Sequence, residues 1–230
     1  MHIGLIPDGN RRYMLKKGIT NLLDSYDMGI TRFYDFLEWC RKLGVKEVTI
    51  YALSIENIKN RGKEEVKTLL RVFNQHAIAA LKDQRIHKNR IHIKVCGDID
   101  YLLKNGVDPK LSREVVGNLR KLEESTKDYR NIQLNLAIAY GGRQEILHAV
   151  KEMVRNKVSA TEENIKRFLW VKDYPDLVIR TSEERLSNFL TWQSAYSEIY
   201  FVDKLWQEFK EGDLVRIIDD YNSRERRFGG

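Results

Sequence analysis

Residues 2–13 read HIGLIPDGNRRY. His2-Ile3-Gly4-Leu5-Ile6 is an apolar run of strand length. Pro7-Asp8-Gly9-Asn10 then supplies turn chemistry, and Arg11, Arg12 and Tyr13 follow where a helix begins. The same unit of strand, turn and helix recurs along the chain. Residues 47–53 read as a strand through Val48, Thr49, Ile50 and Tyr51, and residues 91–95 read as another, ending at Cys96-Gly97-Asp98. Residues 132–139 form the most apolar strand, with Gly141-Gly142 and a helix from Gln144 behind it. Leu177-Val178-Ile179 delivers Arg180, Thr181 and Ser182.

Helical periods fill the intervals. Ile30, Phe33, Leu37, Cys40 and Leu43 share one face and stop near Gly44. Val66, Leu69, Leu70, Phe73, Ala77 and Leu81 do so within a charged helix over residues 64–88. A helix over residues 112–129, a start at Thr161 with Asn164, and helical material around Trp206 and from Leu214 complete the pattern. Short strands alternating with long helices predict an α/β fold, a single domain over residues 1–230, with a mostly parallel central sheet flanked by helices. In such sheets ligands bind beyond the C-terminal strand ends. Asp8, then Ser54, Glu56 and Asn57, then Asp98, then 141–143, then 180–185 all fall there, which predicts a cleft at one sheet edge.

The bulk numbers bound the function. A chain of 230 residues has enough length for one substantial core. Forty Lys and Arg against 33 Asp and Glu give a formal charge of +7, which favours an anionic partner: nucleic acid, anionic lipid or diphosphate. The positives are mixed with acids, so charge does not choose among these. Cys40 and Cys96 lie in apolar settings without metal-ligand spacing and read as reduced core residues, which points to the cytoplasm. No signal peptide opens the chain, and no segment approaches the ~20 apolar residues of a membrane span.

Three segments carry candidate chemistry. In Asp8-Gly9-Asn10-Arg11-Arg12, glycine permits a close backbone approach, amides at a helix start face phosphate oxygens, and arginine matches phosphate with its planar fork. Asp8 suits a phosphate site only with a metal between them, and Mg2+ takes such an oxygen ligand. A plain surface turn capping a helix fits the same residues. Residues 180–188, RTSEERLSN, hold two arginines and three hydroxyls after a strand, fit for a diphosphate or for a solvated helix start. Residues 189–201, FLTWQSAYSEIYF, set one acid, Glu198, among apolar neighbours, where it needs a partner. No GxGxxG, P-loop, HExxH or GxSxG pattern occurs.

These segments also resemble the cis-prenyltransferase family, over nearly the whole chain. HIGLIPDGNRRY is similar to the family's H-x-x-x-I-M-D-G-N-x-R-W, YALSIENI to Y-A-F-S-x-E-N-W, and LNLAIAYGGRQEI to L-N-I-A-x-N-Y-G-G-R-x-E-I. RTSEERLSNFLTWQSAYSEIYF and the final RERRFGG match the remaining motifs. The resemblance implies Mg2+-dependent condensation of isopentenyl diphosphate with an allylic prenyl diphosphate, a hydrophobic tunnel and a homodimer with contact at a membrane surface. It implies Asp8 and Glu198 as metal-linked acids and Gly9, Asn10, Arg11 and Arg12 as the allylic diphosphate site. Arg180, Arg185 and Ser187 would hold isopentenyl diphosphate, and Asp8, Asn57 and Ser54 would serve the reacting ends. Helices around residues 30–43 and 64–81 would line the tunnel. The stretch GITNLLDSYDMG lacks the arginine and histidine that the family usually places there, and RTSEER lacks a glycine. Irregular coupling and a weakly active or non-catalytic subunit are therefore further readings, with a nucleic-acid-binding protein as a remote one.

Overall fold

The structure, a computed structural model, describes residues 1–224. The terminal RERRFGG run, apart from Arg224, lies outside the described residues.

Among the described residues six strands form one sheet: β1 His2–Ile6, β2 Glu47–Ser54, β3 Ile91–Cys96, β4 Ile132–Tyr140, β5 Leu177–Thr181 and β6 Glu198–Val202. Their order is β3-β4-β2-β1-β5-β6, and every neighbouring pair is parallel. The sheet is thus wholly rather than mostly parallel, and all the strands end at the same edge.

The helices are α1 Asn10–Lys16, α2 Leu22–Lys42, α3 Ile55–Asn60, α4 Lys63–Ala80, α5 Gln84–Lys88, α6 Ile99–Asn105, α7 Pro109–Thr126, α8 Gly142–Arg155, α9 Glu162–Phe168 and α10 Glu211–Ser223. The single helix expected over residues 64–88 is two. Asp83 interrupts it, accepting from the Arg85 amide as the cap of α5. The expected start at Ser112 lies earlier, because Asp108 caps α7 and Pro109 occupies its first turn.

Alternation along the strands sends residues to two faces. On one face Leu5, Ile50 and Leu134 pack with Phe33 and Phe36 of α2 and with Trp206 and Phe209. A second cluster joins α4 to α7 through Val66, Leu70, Val115 and Leu119. On the other face Ile6, Ala137, Cys96 and Val178 meet Tyr140, Val171, Phe189 and Leu190. The indole N–H of Trp206 donates to the Gly29 carbonyl at 2.8 Å, fastening α2 to the segment after β6. Among the described residues no helix is long and apolar enough to cross a membrane.

Candidate active site

Asp8 follows β1 and Arg180 belongs to β5, the adjacent strand. The Arg180 guanidinium donates to Asp8 Oδ2 at 2.8 Å, and the Asp8 Oδ1 accepts from the Gly9 amide at 2.6 Å. The arginine side chain is 4% exposed and the aspartate 39%, so a buried cation presents its carboxylate to the cleft. Thr181 Oγ1 fixes the Asp8 backbone twice, accepting from its N–H at 2.9 Å and donating to its carbonyl at 2.7 Å.

Gly9 is required by its geometry. Its φ is +106°, and a Cβ there would stand 2.4 Å from Ser182 Oγ. Asn10 is bound inward: its Nδ2 donates to the Pro7 carbonyl, and its Oδ1 accepts from Gln207 at 2.7 Å. Arg12 donates to the Ser182 carbonyl at 3.1 Å and pairs with Glu183 Oε1 at 2.9 Å. Arg185 pairs with Glu183 Oε2 at 2.6 Å. One carboxylate therefore sits between two exposed guanidinium groups, a relation that sequence spacing did not reveal.

The loop after β5 has left-handed backbone at Ser182, Ser187, Asn188 and Leu190. Such conformations cost energy in residues other than glycine and persist where surrounding bonds hold them. Arg180 donates to the Arg185 carbonyl and, at 2.6 Å, to Ser187 Oγ. Asn188, read from the sequence only as the last residue of RTSEERLSN, ties three strand ends together. Its Nδ2 donates to Glu56 Oε1 at 2.9 Å and Gln144 Oε1 at 3.1 Å, and its Oδ1 accepts from the Arg143 amide at 2.9 Å. Below it, buried Glu145 binds Tyr140, Gln193 and the Val171 amide. Burial pushes the Glu145 carboxyl above the usual range, while those donors oppose the shift.

Ser54 and Asn57 form a reciprocal cap on α3. Ser54 Oγ accepts from the Asn57 amide at 2.9 Å, and Asn57 Oδ1 accepts from the Ser54 amide at 3.4 Å. Close by, Arg61 donates to Tyr26 at 2.9 Å and pairs with Glu65 at 3.1 Å, and Arg11 lies 3.7 Å from Glu65. Arg61 and Tyr26 were not singled out in the sequence. Tyr26 lies in the stretch where the family's arginine and histidine are absent.

Glu198 is elsewhere in the chain. It opens β6 opposite Leu177, the first residue of β5, so it lies at the N-terminal sheet edge. Four residues of strand, about 13 Å at 3.3 Å each, separate that level from Thr181 beside Asp8. Its carboxylate pairs with Arg224 at 2.7 Å.

Asp8, Gly9, Asn10, Arg11, Arg12, Ser54, Asn57, Arg180, Arg185 and Ser187 all line one cavity of about 1130 Å³. Beyond this polar head the walls become apolar. Ile30, Phe33 and Leu37 form one stripe on α2, Leu69, Phe73 and Ala77 another on α4, and Leu134, Leu136 and Ile138 of β4 make the floor. The stripes follow the helical period and the floor follows the strand period. The expected tunnel between these helices is present.

No group of three or more His, Cys, Asp or Glu converges as a metal site among the described residues. Mg2+ commonly uses one or two protein carboxylates and completes its shell with substrate phosphates and water. The half-exposed Asp8 carboxylate, lining the polar head, fits that donor set.

A family model described as putative undecaprenyl diphosphate synthase matches residues 6–229. A Thermoplasma volcanium protein named tritrans,polycis-undecaprenyl-diphosphate synthase (geranylgeranyl-diphosphate specific) is 43% identical over 99% of this chain and 88% of its own length. A crystal structure of a probable undecaprenyl diphosphate synthase from Campylobacter jejuni superposes with a TM-score of 0.81 at 30% identity, covering 100% of this chain and 98% of that one. Lavandulyl diphosphate synthase from Lavandula x intermedia, in complex with dimethylallyl diphosphate, gives 0.88 at 28% identity over 100% and 98%. The arginine-lined head, the apolar tunnel and these likenesses agree: the chain belongs to the cis-prenyltransferase family that includes the undecaprenyl diphosphate synthases.

Proposed function

We propose that residues 1–230 act as one catalytic unit that condenses isopentenyl diphosphate with an allylic prenyl diphosphate, forming a cis double bond and releasing diphosphate. The carrying observation is the single cavity, whose arginine-rich head at the strand ends continues into an apolar tunnel. An amphiphile with an anionic head and a hydrocarbon tail matches both parts.

Gly9, Asn10, Arg11 and Arg12 hold the allylic diphosphate, with Arg61 beside them where the family arginine is absent. Arg180, Arg185 and Ser187 hold the isopentenyl diphosphate. Glu183, between Arg12 and Arg185, gives way as the substrate anions arrive. Asp8 is the residue that would hold Mg2+, and the ion would supply charge neutralisation at the leaving group. As the allylic C1–O bond breaks, its electron pair leaves with diphosphate. The isopentenyl double bond attacks C1, and a proton leaves C2 to restore an alkene. Ser54 and Asn57, which line the same cavity, orient these reacting ends.

Glu198 takes part in metal binding only across a subunit boundary. β6 is an edge strand whose outer residues Ile199 and Phe201 are about 40% exposed, an apolar edge suited to a second copy. A two-fold axis running across β6 would carry the partner's Glu198 toward the edge that bears Asp8.

Irregular coupling is a second reading, supported by the likeness to lavandulyl diphosphate synthase. Incubation with Mg2+, isopentenyl diphosphate and dimethylallyl, geranyl, farnesyl or geranylgeranyl diphosphate separates the two. Linear cis products support condensation. A branched product from dimethylallyl diphosphate alone supports irregular coupling, and no turnover overturns both.

A further inference from the structure

The cavity reaches beyond its apolar section to a second polar zone at the opposite sheet edge. Its floor follows β4, which has 9 residues and so extends about 30 Å. The head lies at the level of Ser54 and Tyr140, and the far end lies at Ile91, which pairs with Ile132 at the start of β4. There the lining changes from Leu37, Ala80 and Ile86 to Glu38, Arg41, Asp83 and Arg85.

These four form two ion pairs on opposite walls. On α2, Arg41 grips Glu38 with two bonds of 2.6 and 2.8 Å. At the start of α5, Arg85 grips Asp83, its Nη2 donating at 2.7 Å and its Nε contacting both oxygens at 3.0 and 3.1 Å. The Arg85 guanidinium also lies over the Tyr34 ring of α2, 5.4 Å from its centroid. The two walls are therefore bridged through Arg85. Glu38 on α2 and Arg85 on α5 carry opposite charges on the two walls, and each is ion-paired within its own wall; the contact that spans the gap is Arg85 over Tyr34. Side-chain exposure is 68% for Arg85 and 43% for Glu38, so this end meets solvent.

We infer that the tunnel has a second mouth, closed by this ionic latch rather than by an apolar wall, and that Arg85 with Glu38 sets the tail length the tunnel accepts. The inference rests on the diphosphate reading of the cavity head. Apolar side chains would stop a growing tail by sterics and would stay shut in salt. Exposed ion pairs are weak and are screened by salt, so a tail can displace them at a modest cost. Up to the latch each added carbon gains burial. At the latch the next carbon must part Arg85 from the Tyr34 ring, against the longer-range attraction of Glu38, and beyond it the tail enters water. The latch is thus a soft limit on chain length, displaced by tails long enough to reach it.

Calorimetric titration with n-alkyl diphosphates of increasing length tests this without requiring turnover. The wild type, Arg85→Ala and Glu38→Gln are compared at low salt and in about 1 M KCl, where the Debye length is about 3 Å. Both substitutions leave Asp83 as the cap of α5. In the wild type, affinity should rise roughly fourfold per carbon, the burial of one methylene, and then fall several-fold at the first length that reaches Arg85. In the two variants it should level off without that fall. Salt should abolish the fall in the wild type and leave the Arg85→Ala profile unchanged, when each length is referred to a shorter ligand with the same head. The same fall at the same length in all three proteins, at both salts, would overturn the latch alone. No binding by any chain length would overturn the diphosphate reading and the latch with it.

Discussion

Asp8→Asn separates binding from chemistry at the proposed centre. The amide oxygen still accepts from the Gly9 N–H, but its NH2 faces Arg180, whose Nη2 loses its acceptor while Nη1 keeps the Arg185 carbonyl and Ser187 Oγ. That guanidinium is 4% exposed, while Asp8 is 39% exposed, so solvent screens part of the lost attraction. Breaking a fully buried pair costs ~3–5 kcal/mol, and exposed pairs are worth under ~1. We expect a stability loss of about 1–2 kcal/mol. Catalysis should suffer more. Removing the anionic ligand that orients charge at the leaving group should lower kcat about a hundred- to thousand-fold, roughly 3–4 kcal/mol. Binding of inorganic diphosphate without Mg2+ should tighten, because an anion is gone and Arg180 is released. Initial rates with and without Mg2+, calorimetry with diphosphate and thermal unfolding read the three effects. A kcat within about threefold of the wild type would refute the role given to Asp8.

Gly9→Ala should lower Tm by about 5 °C, since its φ of +106° and a Cβ 2.4 Å from Ser182 Oγ cost roughly 1–3 kcal/mol. Gly117→Ala is the control, because it lies within α7 with open space around it and should stabilise the fold by up to ~1 kcal/mol. Ala77→Phe should shorten the longest product, because Ala77 lines the apolar section, and product masses read it. A pH prediction concerns the opposite sheet edge. Burial lowers the His2 pKa to about 4 and raises that of Glu47 to about 7. Between pH ~4.5 and 6.5 the folded pair is neutral while the unfolded pair is ionised, so both states bind the same number of protons and stability is nearly flat there. In Glu47→Gln only His2 remains, so stability should fall by up to about 3 kcal/mol as pH drops from 6.5 to 4. Equal slopes in the variant and wild type, from denaturant titrations across that range, would contradict the assignment.

The alternation of short strands and periodic helices was enough to read the α/β class and the sheet edge at which the polar head of the cavity lies. β6 was missed because Ile199 and Phe201 face outward, so an edge strand shows no clean apolar and polar alternation. α6 was missed because it is short and held by one cap, Asp98, whose Oδ1 accepts from the Tyr101 amide. Asp8 and Arg180 stand 172 positions apart, so topology and not spacing joins them. The bridging of Arg12 and Arg185 by Glu183, and the anchoring of three strand ends by Asn188, depend on a loop with left-handed turns that composition does not specify. Strand register alone reveals that Glu198 begins β6 at the far edge from Asp8.

The most direct measurement is the initial rate of diphosphate release by the purified chain with isopentenyl and geranylgeranyl diphosphates, with Mg2+ and with EDTA. Mg2+-dependent turnover is expected, with a product longer than geranylgeranyl diphosphate and a newly formed cis double bond. Binding of both diphosphates without turnover in Mg2+ would contradict a catalytic role.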